Sequence, residues 1–467
     1  MNMKINISAW IFIFISCVFT SPVISASPPT ILITGDSLSL EVKNTPLQTV
    51  LGEVASKGIL VRIDPTINPL ITASFAHRPL NSAFSAILKQ YSYSLLWDSV
   101  ATSTSKELKL SEIHIFQQGQ KEKMEVLKTE QNLAVVRGKN NTYYVKNRLL
   151  VRLDEAVSES TLALLLNKTD ATLLTVNDVL GIVRLQLPDG GDIEEIAAAI
   201  STLPGIAFAE PDYAYPLAIN RSLQAAPPPT NATNDTFSTM AGSVVAVLDS
   251  GLSESWSKSQ FISGSFDAMS PGSAISDSLG HGTQMSLIAA GALHPLGRFV
   301  ESGEKTPIVS IRTFDANGFT SNSALLQGID YAIESGARVL SMSWGTETKS
   351  LLLETAVQYA ADNGLIMVAA AGNSPSGVPV YPAAYDNVIG VGALMPDGTV
   401  WQDSNHGDFV SIYAPGLADL PVGHDGDPGI YAGTSIATAY TANQIAEILD
   451  ATPEADVSKI LQALVSE

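Results

Sequence analysis

From Ala241 to the C-terminus, short apolar runs alternate with segments of helical periodicity, and this alternation limits the possible folds more than any other feature of the chain. The apolar runs have the length and composition of buried strands. They are residues 244–248, 308–311, 339–342, 366–370 and 388–391, with helical patterns at 284–290, 323–335 and 350–363 between them. This order predicts an α/β fold with a mostly parallel sheet and helices on both faces.

Four polar residues stand where such a sheet would place functional side chains. Asp249 follows the first apolar run, and His281 lies between two glycines, which leave its ring accessible and allow close backbone approach. Asn373 follows the run 366–370, and Ser435 precedes an alanine-rich helical pattern at 436–449. Each has an alternative interpretation, because an aspartate at a strand end often only caps a turn and a serine is a common helix cap.

Together these four residue types fit acyl transfer. A serine hydroxyl is a weak nucleophile and needs an adjacent base. An imidazole can accept and return the proton near neutral pH, and a carboxylate fixes its tautomer. An amide N–H can stabilise the tetrahedral oxyanion, as can backbone N–H groups at a helix N-terminus.

Several sequence blocks in this region resemble the catalytic domain of subtilisin-like serine proteases, across residues 241–450. The blocks are VAVLDSG (245–251), GHGT (280–283), ARVLSMSWG (337–345), MVAAAGN (367–373), VPVYPAAYDNVIGVGA (378–393) and GTSIA (433–437). The resemblance implies Asp249 as the orienting carboxylate, His281 as general base and acid, Ser435 as nucleophile and Asn373 in the oxyanion hole. It also implies that Ser343, Trp344 and Gly345 form an extended wall of the substrate cleft.

Two departures from the family pattern bear on this assignment. Ala439 stands where the family usually has a proline, which shapes the start of the helix behind the serine. Trp344 stands where smaller residues are common, and a bulky side chain there could narrow the pocket. No cofactor is expected. Calcium is possible by resemblance, although no acidic cluster supports the assignment of a site.

A second α+β unit is predicted at residues 148–218, with the order βαββαβ of a ferredoxin-like fold. The segment from Leu203 to Tyr213 (LPGIAFAEPDY) carries most of its resemblance to the inhibitory propeptide of the same proteases. In that family the domain assists folding and blocks the active site until it is removed. Residues 219–240 have no apolar periodicity and are predicted to be an exposed linker, with processing near 221–240.

The N-terminal part predicts export and an additional module. Lys4, the apolar run 5–19 and small residues near Ala26 form a secretory signal at 1–26, so a periplasmic or secreted location is expected. A lipoprotein signal at Cys17 fits less well, because Phe14 stands where leucine is expected. Residues 27–120 resemble the short N-terminal domain of secretins and TonB-dependent receptors, a periplasmic interaction module, and 121–147 form a connector.

These patterns predict an exported serine endopeptidase made as a zymogen, with a protein or peptide as substrate, its own propeptide as inhibitor and an envelope protein as a partner of residues 27–120. The net charge of −20 excludes nucleic acid and anionic lipid as favoured partners. The alternative is a catalytically weak or inactive binding protein on a subtilisin fold, recruited to an envelope complex by its N-terminal domain.

Overall fold

The computed structural model describes residues 30–34, 37–55, 59–101, 106–127, 132–139, 142–154, 158–217, 221–224, 242–297, 305–421 and 428–466. The chain divides into two compact units, residues 1–59 with 63–124 and residues 60–62 with 125–467. The predicted signal at 1–26 and residues 225–240 of the predicted linker lie outside the described residues. In the part of the chain that is described, no helix has the length and apolar character that crossing a membrane requires.

The first part of the chain is a small α+β arrangement. Its elements are β1 (Thr30–Thr34), β2 (Ser37–Pro46), α1 (Leu47–Ala55), β3 (Leu60–Ile63), β4 (Leu70–Pro79), α2 (Leu80–Ile87), β5 (Ser92–Ala101) and β6 (Lys106–Phe116). Both helices begin at a leucine that directly follows a proline, Pro46 before α1 and Pro79 before α2. The proline therefore ends the preceding strand instead of lying inside the first helical turn. The resemblance of this part to secretin domains stays a prediction.

The second unit begins with the predicted ferredoxin-like arrangement. Strand β7 (Glu125–Val126) precedes this arrangement, whose elements are β8 (Val135–Arg137), β9 (Tyr143–Leu153), α3 (Glu159–Thr169), β10 (Thr172–Asn177), β11 (Ile182–Gln186), α4 (Ile193–Ile200) and β12 (Ile206–Pro216). The sheet order β10-β11-β9-β12 places the first strand between the third and the fourth, as in ferredoxin-like folds. Strand β9 begins at Tyr143, inside the predicted connector, because β8 and β12 extend its pairing.

The rest of the second unit is the predicted α/β domain. Its elements are β13 (Arg221–Gln224), β14 (Val245–Asp249), β15 (Ile262–Asp267), α5 (His281–Ala289), β16 (Ile308–Arg312), β17 (Phe319–Ser321), α6 (Asn322–Glu334), β18 (Val339–Met342), α7 (Leu351–Asp362), β19 (Ile366–Ala370), β20 (Val388–Leu394), β21 (Ile412–Pro415), β22 (Leu417–Leu420), β23 (Gly429–Ala432), α8 (Thr434–Ala451) and α9 (Val457–Ser466). Strands β15-β16-β14-β18-β19-β20-β21 form one sheet, and its paired strands are parallel.

Helices cover both faces of this sheet, as the sequence predicts. Alternate residues of β14 separate into two apolar clusters: Val245 and Val247 pack with α5 and α8, and Ala246 and Leu248 pack with α6 and α7. Strand β14 lies between β16 and β18, and the chain leaves it first on one side and then on the other. Its carboxyl end, at Asp249, is therefore a crevice of the kind in which open α/β sheets bind ligands.

The prediction of a linker without regular structure at 219–240 is wrong at Arg221–Gln224. These residues form β13, which pairs antiparallel with β23 in the three-stranded sheet β13-β23-β22. This pairing joins residues about two hundred positions apart, so no local periodicity predicts it.

Candidate active site

Asp249, the last residue of β14, lies against His281, the first residue of α5. The distance between Asp249 Oδ1 and His281 Nδ1 is 2.7 Å, and both side chains are buried. Burial opposes protonation of His281, but the charge and hydrogen bond of Asp249, with a further contribution from the charge of Asp277, raise its pKa above the ordinary value. The sequence-predicted orienting carboxylate and base are thus brought together in a geometry that fixes the imidazole tautomer.

Glycines make this close approach possible. Gly280 caps the N-terminus of α5 with φ of 77°, in the left-handed region. A Cβ added to Gly282 would lie 2.4 Å from Gly251 O, and one added to Gly251 would lie 2.0 Å from Ser276 O. A side chain at Gly282 would separate the end of β14 from the start of α5, and one at Gly251 would displace the loop at Ser276.

Ser435 occupies the first turn of α8, which begins at Thr434. Its side chain is fully buried, and its hydroxyl donates to Ser343 O at 3.0 Å, while Ser343 Oγ donates to Ser435 O at 3.1 Å. His281 Nε2 is buried and has no hydrogen-bond partner among the described residues. Helices α5 and α8 pack together in one apolar cluster, but the hydroxyl in this structure is directed to a carbonyl group.

Ala439, the departure from the family pattern, does not interrupt the helix that carries Ser435. Helix α8 runs without a break from Thr434 to Ala451, and the Ala439 side chain is buried in the cluster shared with α5. The residue therefore packs as an ordinary helical alanine.

Asn373 follows β19 and is held by the residue before Ser435. Its Oδ1 accepts hydrogen bonds from the backbone N–H of Thr434 at 2.9 Å and from Thr434 Oγ1 at 2.8 Å. These two donors fix the orientation of the amide, and Asn373 Nδ2 is left buried without a partner among the described residues. A buried, oriented and unused N–H donor is what an oxyanion site requires.

The residues Ser343, Trp344 and Gly345 directly follow β18, next to Ser435. The sequence left open whether Trp344 narrows the substrate pocket. Its side chain is fully buried and stacks on Tyr215 with ring centroids 6.1 Å apart. Gly345 approaches Val380 so closely that a Cβ would lie 2.4 Å from Val380 Cγ1.

Tyr215 belongs to the end of the ferredoxin-like domain, and that end lies on the α/β domain. Strand β12 pairs antiparallel with β17, with Tyr215 opposite Thr320, and Leu217 N donates to Gly318 O at 2.8 Å. The Tyr215 hydroxyl donates to Asn322 Oδ1 at 2.7 Å. The two domains thus share one sheet, which places the Tyr215 ring beside the wall next to Ser435.

Two carboxylates of β12 bind the N-termini of two helices of the α/β domain. Asp212 accepts hydrogen bonds from Ser323 N at 3.0 Å and from Ser323 Oγ at 2.6 Å, at the start of α6. Glu210 accepts from Ser350 Oγ and from the backbone N–H groups of Leu351 and Leu352, at the start of α7. Helix N-termini attract negative charge and have free N–H donors, so both contacts are favourable.

Both carboxyl groups are buried. Glu210 is 8% exposed, and burial raises its pKa to about 7, although its hydrogen bonds to Ser350, Leu352 and Leu351 act in the opposite direction. Asp212 is fully buried and also lies 3.7 Å from Arg148 Nη1. Neither role is evident from the sequence, although the two residues belong to the segment that resembles an inhibitory propeptide.

The described residues contain no group of three or more His, Cys, Asp or Glu side chains that could hold a metal ion. Calcium binding, which the resemblance makes possible, stays a prediction.

Comparison with known proteins agrees with the resemblance found in the sequence. The profile of the subtilase family matches residues 240–467, and that of the fervidolysin N-terminal prodomain matches residues 130–212. The thermophilic serine proteinase of Bacillus sp. (strain AK1) is 29% identical over 64% of this chain and 77% of its own length. Thermitase of Thermoactinomyces vulgaris is 30% identical over 43% of this chain and 73% of its own length.

The crystal structure of fervidolysin from Fervidobacterium pennivorans, a keratinolytic enzyme related to subtilisin, superimposes with a TM-score of 0.55. The match covers 72% of this chain and 61% of the fervidolysin chain at 20% identity, so it supports the fold alone. The predicted subtilisin-like domain and the propeptide before it are both confirmed by these matches. The chain belongs to the subtilase family and is a serine protease made as a zymogen.

Proposed function

We propose that this chain is an exported serine endopeptidase that hydrolyses peptide bonds through an acyl-enzyme on Ser435. The main support is the 2.7 Å contact between Asp249 and His281. In addition, His281 Nε2 is buried and has no hydrogen-bond partner among the described residues. An imidazole held in this way can take a proton only at its second nitrogen. If the Ser435 side chain rotates away from Ser343 O, its hydroxyl can donate its proton to His281 Nε2.

In the proposed reaction, Ser435 Oγ attacks the carbonyl carbon of the substrate while His281 Nε2 takes the hydroxyl proton. Asn373 Nδ2 and the backbone N–H of Ser435 donate to the oxyanion of the tetrahedral intermediate. His281 then returns the proton to the leaving amine as the C–N bond breaks. A water molecule, deprotonated by His281, attacks the ester and releases Ser435 and the acid.

We further propose that the substrate backbone binds as an added strand between the wall residues 343–345 and β17. The pairing of β12 with β17 supports this arrangement, because the propeptide already uses β17 as a strand partner. Since the Trp344 side chain is fully buried, we expect the substrate to contact the backbone of this wall after the propeptide has left. Removal of the propeptide would therefore be needed before a substrate can bind β17.

The proposed location is the periplasm or the medium outside the cell, and residues 27–120 would bind an envelope protein. The signal at 1–26 and the resemblance of residues 27–120 to secretin domains support this part. Removal of residues 27–120 should keep peptide hydrolysis and abolish binding of the partner. If the shortened protein retains every partner of the full chain, this part of the proposal is wrong.

The alternative of a weak or inactive binding protein has one observation in its favour, the hydrogen bond from Ser435 Oγ to Ser343 O instead of to His281. A fluorophosphonate reacts only with an activated serine, so intact mass and peptide mapping after labelling distinguish the two proposals. We expect labelling on Ser435 once the propeptide has left, none in Ser435→Ala, and full labelling in the control Ser411→Ala, which changes an exposed serine. A propeptide-free wild type that stays unlabelled would favour the binding protein.

A further inference from the structure

Asp277 is a carboxylate that the proposed mechanism does not use, although it lies at the centre of the hydrogen bonds around the candidate site. Its Oδ1 accepts from Ser250 Oγ at 2.8 Å, from Gly280 N at 2.8 Å and from Leu279 N at 3.2 Å. Its Oδ2 accepts from Thr283 N at 2.8 Å and from Thr283 Oγ1 at 2.6 Å. Five donors on one carboxylate are more than a turn residue needs.

These hydrogen bonds join the two segments that carry the candidate base and its orienting carboxylate. Ser250 is the neighbour of Asp249, and its N–H donates to Asp249 Oδ1 at 2.7 Å. Gly280 and Thr283 lie on either side of His281. The Ser250 hydroxyl completes the connection, because it donates to Asp277 and accepts from Gly282 N at 2.8 Å.

We infer that Asp277 is a positioning residue that holds Asp249 and His281 together and adds a second negative charge beside the imidazole. This inference rests on the proposed serine-protease mechanism. An asparagine at 277 could accept at one atom only, and its NH₂ group would face N–H or O–H donors. The end of β14 and the start of α5 would then lose their shared acceptor.

The negative charge of Asp277 raises the pKa of His281. Two carboxylates favour the protonated form of His281. One belongs to Asp249 at the end of β14, and the other belongs to Asp277 in the loop before α5. Arg312 on β16 also reaches this loop, because its Nη1 donates to Ser276 Oγ at 3.2 Å, and it binds Asp267 on β15 at 3.2 Å. Loss of the Asp277 charge should therefore lower the pKa of His281, and kcat/KM should begin to rise at a more acidic pH.

The test compares pH profiles of kcat/KM for the propeptide-free wild type, Asp277→Asn, Ser250→Ala and Asp397→Asn. For Asp277→Asn we expect the acidic midpoint to move down by about half a pH unit to one unit and kcat to fall about tenfold or more, with KM nearly unchanged. Ser250→Ala removes the connecting hydroxyl and keeps the charge, so kcat should fall while the midpoint stays in place. Asp397→Asn is the matched control, since Asp397 accepts from Thr399 N and Oγ1 in an exposed turn, and it should match the wild type.

An unchanged midpoint and kcat in folded Asp277→Asn would overturn the inference and leave Asp277 as a turn residue. If Asp277→Asn does not fold, an unchanged kcat in Ser250→Ala overturns it. Fluorophosphonate labelling of the wild type is measured in the same samples. Absence of that labelling would refute the proposed function itself, so the two failures are distinguishable.

Discussion

The raised pKa of Glu210 predicts that the α/β domain binds the propeptide more tightly at acidic pH than at neutral or alkaline pH. Its carboxyl group is buried at the start of α7, and its pKa there is about 7 against an ordinary value of 4.5. In the separated propeptide, β12 no longer lies on α6 and α7, so we expect an ordinary pKa for Glu210. The complex therefore binds a proton that the separated partners release, and association weakens as the pH rises from 4.5 through 7.

The size of the effect follows from this difference. A difference of about 2.5 between the two pKa values of Glu210 corresponds to about 3 kcal/mol of binding free energy at most. Between pH 5 and pH 8 the same two pKa values give an increase of the dissociation constant on the order of 70-fold. Asp212 adds a nearby negative charge that also raises the pKa of Glu210.

The assay uses the full chain with Ser435→Ala and a site-specific protease sequence introduced within residues 225–241. After cleavage, the dissociation constant of the two fragments is measured at pH 5, 6, 7 and 8. Glu210→Gln keeps the shape and cannot ionise, so its dissociation constant should depend little on pH. Glu195→Gln, an exposed change on α4 of the same domain, should behave as the parent does. A parent complex that tightens with rising pH, or a Glu210→Gln complex with the slope of the parent, would refute the reasoning.

Two further substitutions test the geometry of the site. Thr434→Val removes the hydroxyl that orients the Asn373 amide but keeps the backbone donor, so we expect kcat to fall about tenfold in steady-state assays, against about 100- to 1,000-fold for Asn373→Ala; equal losses would contradict the orienting role. Gly251→Ala places a Cβ 2.0 Å from a carbonyl oxygen at φ of 117°, and chemical denaturation should show a loss of more than about 2 kcal/mol. Gly336→Ala, at φ of 70° with no atom within 4 Å of the added Cβ, should lose only about 1 kcal/mol, and a similar loss in both variants would show that the close approach is unimportant.

The part of the site that the sequence predicts consists of residues at the ends of apolar runs. Asp249, His281 and Asn373 could be proposed from the sequence because each follows a strand pattern or precedes a helical one, and because glycines flank the histidine. The parallel sheet follows from the same alternation of periodicities. These features are local, so a single sequence contains them.

The remaining features depend on contacts between distant residues. Glu210 binds Ser350 across 140 positions, and Asp212 binds Ser323 across 111. The position of the Trp344 side chain depends on Tyr215, which belongs to a different domain. The strand β13 likewise exists through pairing with β23. No periodicity of 2 or 3.6 residues encodes such contacts, so only the folded structure shows them.

The sheet order has a consequence for biosynthesis. Strand β14 is the first strand of its sheet to be made, yet its neighbours β16 and β18 end only at Arg312 and Met342. Synthesis at about 5–20 residues per second therefore separates the completion of β14 from that of its two neighbours by several seconds. The ferredoxin-like domain, which ends at Pro216 with β12, is complete before β14 emerges. The propeptide strand β12 also precedes β17 in the chain, so it can pair with Phe319–Ser321 before β18 covers the second edge of β14.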